Sequence, residues 1–117
     1  MDLETLQENA RRATALLRAM GNPHRLMILC QILGGEKNVS ELERLIGLSQ
    51  SALSQHLARL RRDRLVQTRR SAQTIFYSLA GEEAKAVLST LYTLYCGEGK
   101  AAADGEPDAR CDAPKAS

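Results

Sequence analysis

Apolar side chains recur with helical spacing in several stretches of the chain, and the clearest stretch lies near its middle. Leu53, Leu57 and Leu60 are four and three residues apart, so they form one apolar stripe on a helix. Ser49 precedes them as an N-cap candidate, because its hydroxyl can accept a hydrogen bond from the first turn. The pattern predicts a helix that begins after Ser49 and ends near Arg62.

The side of this predicted helix that faces away from the leucines is small, polar and cationic. It carries Ser51, Ser54, Gln55, Ala58, Arg59 and Arg62. Glutamine can pair with the edge of adenine, arginine can bind guanine or phosphate, and small residues let a helix enter a groove. The pattern is typical of a helix that reads the DNA major groove, although an ordinary solvated helix face has a similar composition.

The residues before this helix predict three more helices. The first two cover Asp2–Met20 and His24–Leu33, with Pro23 in the first turn of the second and Gly34-Gly35 after its end. A third begins at Ser40, because Ser40 and Glu43 match a capping box, and ends at Gly47. A short helix, a tight turn with glycine and a polar cationic helix together predict a helix-turn-helix.

After Asp63 the apolar period changes from helical to strand-like. Leu65–Arg69 and Thr74–Leu79 are predicted to form a hairpin with Arg69 and Arg70 near its tip. Beside a DNA-reading helix such a hairpin is a wing, whose arginines can reach phosphates or the minor groove. The alternative is a solvated turn with ordinary surface arginines.

A final helix is predicted over Glu82–Cys96, and it carries a wide apolar face. Together with the first helix it offers more apolar surface than a small core needs. This predicts a two-fold homodimer through the first and last helices, which presents two reading helices to two half-sites of a palindrome. Residues 97–117 lack periodicity and are predicted to be a disordered tail, so residues 1–96 form the single predicted domain.

Charge is concentrated on the predicted DNA-reading region. The 117 residues include 16 basic and 14 acidic ones, but seven basic residues and one acid lie between Arg44 and Arg70. Such a cluster is an electrostatic footprint for a polyanion. No apolar run is long enough to span a membrane and no signal-peptide core is present, so we expect a cytoplasmic protein without a membrane partner. Tryptophan is absent and Phe76 is the single phenylalanine, which disfavours stacking on single strands.

Several motifs in sequence order resemble the ArsR/SmtB family of winged-helix repressors. They are Asn22-Pro23-His24-Arg25-Leu26, Leu48 to Leu57, Leu65-Val66 and Thr74-Ile75-Phe76-Tyr77. The resemblance implies a mainly α fold with a small β-hairpin, a winged helix-turn-helix of order α-α-α-α-β-β-α. It also implies a homodimer that binds an inverted repeat in double-stranded DNA over a promoter and leaves it when an inducer arrives.

The resemblance places Ser51, Ser54, Gln55 and His56 on the recognition helix, and Arg69, Arg70 and Gln73 on the wing. With their neighbours, the predicted DNA-contacting set is Ser49, Gln50, Ser51, Ser54, Gln55, His56, Arg59, Arg62, Arg69, Arg70 and Gln73. One departure is Arg64, which stands where the family often has glycine before the first strand. It leaves the geometry of that turn open and could add a phosphate contact.

The cysteines are similar to those of a two-cysteine subgroup of the family. In that subgroup the positions matching Cys30 and Cys96 form a dithiol switch that responds to reactive sulfur species, such as persulfides and polysulfides, or to oxidants. A bridge would tie the DNA-reading half to the dimerising half. The alternative for Cys30 is an ordinary buried core residue. Cys111 matches no motif of the subgroup, and three cysteines do not suggest a structural disulfide framework.

Other functions are less well supported by the residues. Metal-sensing members of the family carry ligands near the start of the third helix or on the last helix. Here Val39–Glu43 contains no cysteine and Glu82–Tyr95 contains no histidine. The two histidines, His24 and His56, lie on separate predicted helices. We therefore expect no metal and no cofactor. No Cys-x-x-Cys motif or catalytic triad suggests an enzyme. Three alternatives to a repressor controlled by a dithiol remain. They are a metal-responsive repressor, an activator that antagonises a silencer, and a protein–protein module.

Overall fold

The computed structural model describes residues 1–96, which form five α-helices around a small sheet. The elements are α1 (Leu3–Met20), α2 (Pro23–Leu33), β1 (Lys37–Asn38), α3 (Val39–Ile46), α4 (Gln50–Arg62), β2 (Val66–Ser71), β3 (Thr74–Leu79) and α5 (Glu82–Cys96). The predicted tail and Cys111 lie outside the described residues. In residues 1–96 no helix combines the length and apolarity needed to cross a membrane.

Side-chain caps set the beginnings of the helices. Asp2 accepts a hydrogen bond from the backbone N–H of Thr5 at 3.1 Å, and α1 begins after it. Asn22 likewise caps α2, with Pro23 as its first residue. Ser49 accepts from the N–H of Ala52 at 3.1 Å, which confirms the predicted start of α4.

The predicted start of the third helix is wrong by one residue, and its cap is a different pair. Asn38 is the N-cap: its side-chain oxygen accepts from the Glu41 N–H at 2.8 Å, and the Glu41 carboxylate accepts from the Asn38 N–H at 2.9 Å. The predicted box of Ser40 and Glu43 is therefore not used. Asparagine caps at least as well as serine, and Asn38 already has the extended backbone of a cap because it pairs in β1.

The sheet has the order β1-β3-β2, and its first strand was not predicted. Lys37 and Asn38 pair antiparallel with Tyr77 and Phe76 of β3. Two residues are too few for an alternating pattern to appear in the sequence, so only the tertiary pairing reveals this strand.

The β2–β3 hairpin is confirmed, but its turn is shorter than predicted. Pairing runs from Val66 opposite Leu79 to Ser71 opposite Thr74, which leaves only Ala72 and Gln73 in the turn. Ala72 takes a φ of 58°, as tight hairpin turns require. Arg69 and Arg70 therefore lie within β2 and not at the tip.

The core forms where α4 and α5 pack on α2. The predicted stripe of Leu53, Leu57 and Leu60 is at most 1% exposed. Helix α2 also contacts α1, α3 and β3, so it lies at the centre of the domain. The predicted winged helix-turn-helix is thus confirmed in its element order, with β1 added.

The structure shows the backbone geometry of the turn at Arg64, which the sequence did not determine. The Leu65 N–H donates to the Leu60 carbonyl at 2.9 Å and the Arg64 N–H to the Arg61 carbonyl at 3.0 Å, which is a Schellman motif at the end of α4. Arg64 occupies the left-handed position of this motif with a φ of 65°. The chain therefore keeps the backbone geometry that glycine usually supplies.

We predict that Arg64→Gly stabilises the protein by about 0.5–1 kcal/mol, because glycine has no Cβ to clash in the left-handed conformation. Arg64→Val should instead destabilise it, since a β-branched residue is strained there. Urea unfolding of both variants measures the difference. A glycine variant less stable than the valine variant would contradict the role assigned to this backbone position.

Candidate DNA-binding surface

The residues of α4 that are exposed to solvent form a surface that we call the reading face. It consists of Gln50, Ser51, Ser54, Gln55, Ala58, Arg61 and Arg62. Five of these were predicted to contact DNA; Ala58 and Arg61 were not. The helical period places Arg61 nearer to the leucines than Arg62, yet Arg61 is exposed. Its charge is the signal that could have identified it, because an unpaired arginine is rarely buried.

The arginines of α4 differ in whether they already have an acidic partner. Arg59 is half-buried, and its Nε donates to Asp63 Oδ2 at 3.0 Å. Arg61 and Arg62 form no ion pair within residues 1–96. The positive charge that α4 can offer to an external anion therefore lies mainly in its last turn.

The two arginines of the wing point to opposite faces of the hairpin, because side chains alternate along a strand. Arg69 lies opposite Phe76, with its Cζ 4.7 Å from the ring centroid. Its guanidinium also binds the carboxylate of Glu36, with Nη2 at 2.5 Å from Oε1. The hydrogen bond from Arg69 is the main reason that the pKa of Glu36 lies below its usual range.

Arg70 is the cation of the wing that stays available. It lies opposite Ile75, on the face of the hairpin that carries the buried Val66 and Leu79 nearer its base. It is exposed and has no ion pair in the described part of the chain. Gln73 is exposed in the turn. The wing thus carries one neutralised and one free arginine.

The fold brings together the two histidines, which the sequence placed on separate helices. The rings of His24 on α2 and His56 on α4 have centroids 5.8 Å apart and planes at 40°. Burial, followed by the nearby charges of Arg25 and His24, lowers the pKa of His56. Sequence spacing held no signal for this contact. In the described range no group of three or more His, Cys, Asp or Glu side chains could hold a metal ion.

We predict that the histidine pair makes folding pH-dependent. Because the pKa of His56 is lower in the folded state, the unfolded chain binds its proton first as the pH falls. The free energy of unfolding should therefore decrease as the pH drops from neutrality through about 6.5. His56→Gln should flatten this dependence, as measured by urea unfolding at several pH values.

An NMR titration provides the matched control, because the chain contains only two histidines. His24→Gln should move the pKa of His56 upward, since it removes one of the neighbouring charges. If the pKa of His56 in the wild-type protein lies at or above the ordinary histidine value, the predicted role of His56 in the pH dependence is wrong.

The two cysteines of the predicted switch lie on helices that pack against each other. Cys30 is near the end of α2, half-buried and a free thiol, and burial raises its pKa. Cys96 is the last residue of α5, which contacts α2. The structure therefore contains no bond between Cys30 and Cys96.

Helices α1 and α5 carry exposed apolar side chains. Only Ala19 and Met20 are buried in α1, whereas Leu3, Leu6 and Leu17 are 51–68% exposed. On α5 the exposed apolar residues are Leu94 and Tyr95. An ion pair between Arg12 and Glu83 at 3.0 Å links the two helices, and an open groove of about 800 Å³ lies between them and the turn after α4.

The helix-turn-helix with an exposed polar helix and an adjacent hairpin defines a winged-helix transcriptional regulator. Residues 22–68 match the family model described as bacterial regulatory protein, arsR family. The transcriptional activator HlyU of Vibrio cholerae is 53% identical over 96 residues, which cover 82% of this chain and 89% of HlyU. The biofilm growth-associated repressor of Xylella fastidiosa is 39% identical over 102 residues, covering 87% and 90%.

A solved structure has the same fold. It is the reduced form of HlyU from Vibrio cholerae, with a TM-score of 0.78 and 53% identity, and the likeness covers 80% of this chain and 99% of that one. The protein belongs to the ArsR family. Its relatives are regulators of transcription and not enzymes, as the sequence predicted.

Proposed function

We propose that this protein is a homodimeric repressor that binds an inverted-repeat operator and releases it when Cys30 and Cys96 become linked. The observation that carries the DNA-binding part is the reading face of α4, which combines short polar side chains with two arginines that have no ion pair among residues 1–96. Family membership supports the same assignment. The partner is double-stranded DNA, and the inducer belongs to the reactive sulfur species.

Exposed residues of α4 and of the wing take two different roles. The base-reading residues are Gln50, Ser51, Ser54 and Gln55, and the phosphate-binding residues are Arg62, Arg70 and Gln73, to which the structure adds Arg61. The other predicted contacts, Ser49, His56, Arg59 and Arg69, already contact other residues of the protein, so we do not assign them to DNA.

The dimer is supported by the apolar side chains that α1 and α5 leave in water. An 18-residue helix with only its last two residues buried is marginal by itself, because isolated helices need tertiary packing to persist. Pairing α1 and α5 with a second copy would cover Leu3, Leu6 and Leu17 together with Leu94 and Tyr95. Two-fold symmetry then sets two reading helices toward two half-sites.

The switch is supported by the packing of α2 against α5 and by one relative being described as reduced HlyU. In the fully reduced protein, the thiolate of one of the two cysteines attacks the outer sulfur of a persulfide molecule, which departs as a thiol and leaves a persulfide on that cysteine. The second cysteine then attacks its inner sulfur, forms the disulfide and expels hydrogen sulfide. The two thiols are oxidised and the sulfane sulfur is reduced, so no further oxidant is needed.

A second candidate function rests on the name of one relative. HlyU is called a transcriptional activator, and this favours the alternative in which operator occupancy displaces a silencer. Both candidates need the same DNA-binding surface. We place repression first because a protein seated on a promoter excludes polymerase without any further contact.

Replacing Gln55 tests the reading face. Gln55→Ala should weaken binding to the operator by about 1–3 kcal/mol, because it removes a side chain able to make two hydrogen bonds to one base. Affinity for unrelated DNA should not change, and this serves as the internal control. Mobility shifts with the upstream region of the protein's own gene measure both. An unchanged ratio of specific to non-specific binding removes Gln55 from base recognition.

Replacing Cys30 tests the switch. Wild-type protein bound to operator should dissociate after polysulfide treatment, whereas Cys30→Ser should remain bound because it cannot complete the bridge. Binding before treatment shows that the variant is folded. Mass spectrometry of the released protein should find Cys30 joined to Cys96.

Cys111→Ser is the matched control for this experiment, since it removes the third thiol of the chain. It should be released like the wild type. Normal release of Cys30→Ser, or retention of the wild type with its thiols bridged, is incompatible with the proposed switch.

A further inference from the structure

We infer that Glu36, Arg69 and Phe76 form a clamp that fixes the wing to the body of the domain. In this arrangement Arg69 is a positioning residue, and Arg70 is the arginine of the wing that meets the DNA backbone. The inference deepens the proposed function, because it assigns different tasks to two adjacent arginines that the sequence could not distinguish.

In the clamp, two nitrogen atoms of the Arg69 guanidinium donate hydrogen bonds to the Glu36 carboxylate. Arg69 Nε lies 3.0 and 3.1 Å from the two oxygens of Glu36, and Nη2 lies 2.5 Å from Oε1. The same guanidinium lies 4.7 Å from the centroid of the Phe76 ring, within the range of a cation–π contact. Three hydrogen bonds and a ring contact hold this side chain in one direction.

The clamp connects all three strands of the sheet. Glu36 immediately precedes β1, Arg69 lies in β2, and Phe76 lies in β3 between its partners Asn38 and Arg69. Strand β1 leads directly into α3, the first helix of the helix-turn-helix. The clamp therefore fixes the wing in relation to the two helices that approach DNA.

The outer part of the hairpin has little else to support it. From Arg69 to Thr74 every residue is exposed, so no core side chain anchors this half of the wing. A two-stranded hairpin without such support is marginally stable in water. An exposed ion pair alone contributes little, but a forked pair that also packs on a ring is better placed to hold its geometry.

The two arginines of the wing also differ in whether an acidic residue neutralises their charge. Glu36 neutralises Arg69, and their hydrogen bond favours the ionised form of both groups, since it lowers the pKa of Glu36 and raises that of Arg69. Arg70, on the opposite face of the hairpin, keeps its charge for an external partner. A phosphate that bound Arg69 would have to displace Glu36 first.

The test is a double variant that removes the clamp without altering net charge. Glu36→Gln/Arg69→Met replaces one acid and one base together, so the long-range attraction to DNA stays the same. We expect operator affinity to fall about threefold to tenfold, because a loosened wing must be ordered on binding. The salt dependence of binding should keep the wild-type slope.

Two variants calibrate this measurement. Arg70→Ala should flatten the slope of log affinity against log salt by about 0.9, the change expected when one phosphate is no longer neutralised. Glu8→Gln/Arg11→Met removes an exposed ion pair of the same residue types from α1, and it should leave affinity and slope unchanged.

Two results would overturn the clamp. A flatter salt slope in the Glu36/Arg69 double variant means that Arg69 itself binds phosphate. Tighter binding with a steeper slope in the single Glu36→Gln variant means that Glu36 merely competes with DNA for Arg69.

A measurement without DNA separates this inference from the proposed function. Amide hydrogen exchange of β2 and β3 should be faster in the free Glu36/Arg69 double variant than in the wild type, while exchange in α5 should not change. Unchanged exchange in the hairpin overturns the clamp even if the protein binds its operator. Faster exchange in a protein that fails to bind any operator retains the clamp and overturns the proposed function.

Discussion

Burial of one stripe of α4 determines how this domain can meet a partner. Leu53, Leu57 and Leu60 are almost completely removed from water, and each contributes on the order of 1.5–3 kcal/mol when fully buried. This burial sets the rotation of α4 about its own axis. The opposite side must then face solvent, and its short polar side chains allow a close approach to another surface. The reading face is thus a direct consequence of the core.

Net charge is a poor guide to where this protein attracts an anion, and the arrangement of ion pairs is a better one. Asp63 binds Arg59 and Glu36 binds Arg69, so two of the arginines in the basic region are already paired. Arg61, Arg62 and Arg70 have no such partner within residues 1–96. The same number of arginines, differently paired, would place the positive potential elsewhere on the surface.

Local features of this fold could be predicted from the sequence, whereas contacts between distant segments could not. The Ser49 cap was predicted because it lies directly before the helix that it begins, and the bounds of the long periodic helices were predicted almost to the residue. Strand β1 has only two residues, and it exists because β3 pairs with it. That pairing also explains why Asn38 and not Ser40 caps α3.

For the candidate DNA-binding surface too, local features could be predicted from the sequence and contacts between distant residues could not. The exposed positions of α4 follow from its helical period, so Gln55 and Ser51 could be placed there from the sequence. The approach of His24 to His56 and of Glu36 to Arg69 joins residues 32 and 33 positions apart, and no spacing rule connects them. These contacts decide which predicted residues are free to bind and which are held by the protein.

Helix α2 is the element through which a change at one end of the domain can reach the other. It contacts α1 and α5, which carry the exposed apolar surface, and also α3 and α4 of the helix-turn-helix. Its own residues include Cys30 near one end and His24, against His56 of α4, at the other. Because packed interiors are stiff, a shift of α2 against α5 cannot be absorbed locally and must move its other neighbours. A covalent link from Cys30 to α5, as we propose, would therefore alter the setting of α4 without any contact between the sulfur atoms and DNA.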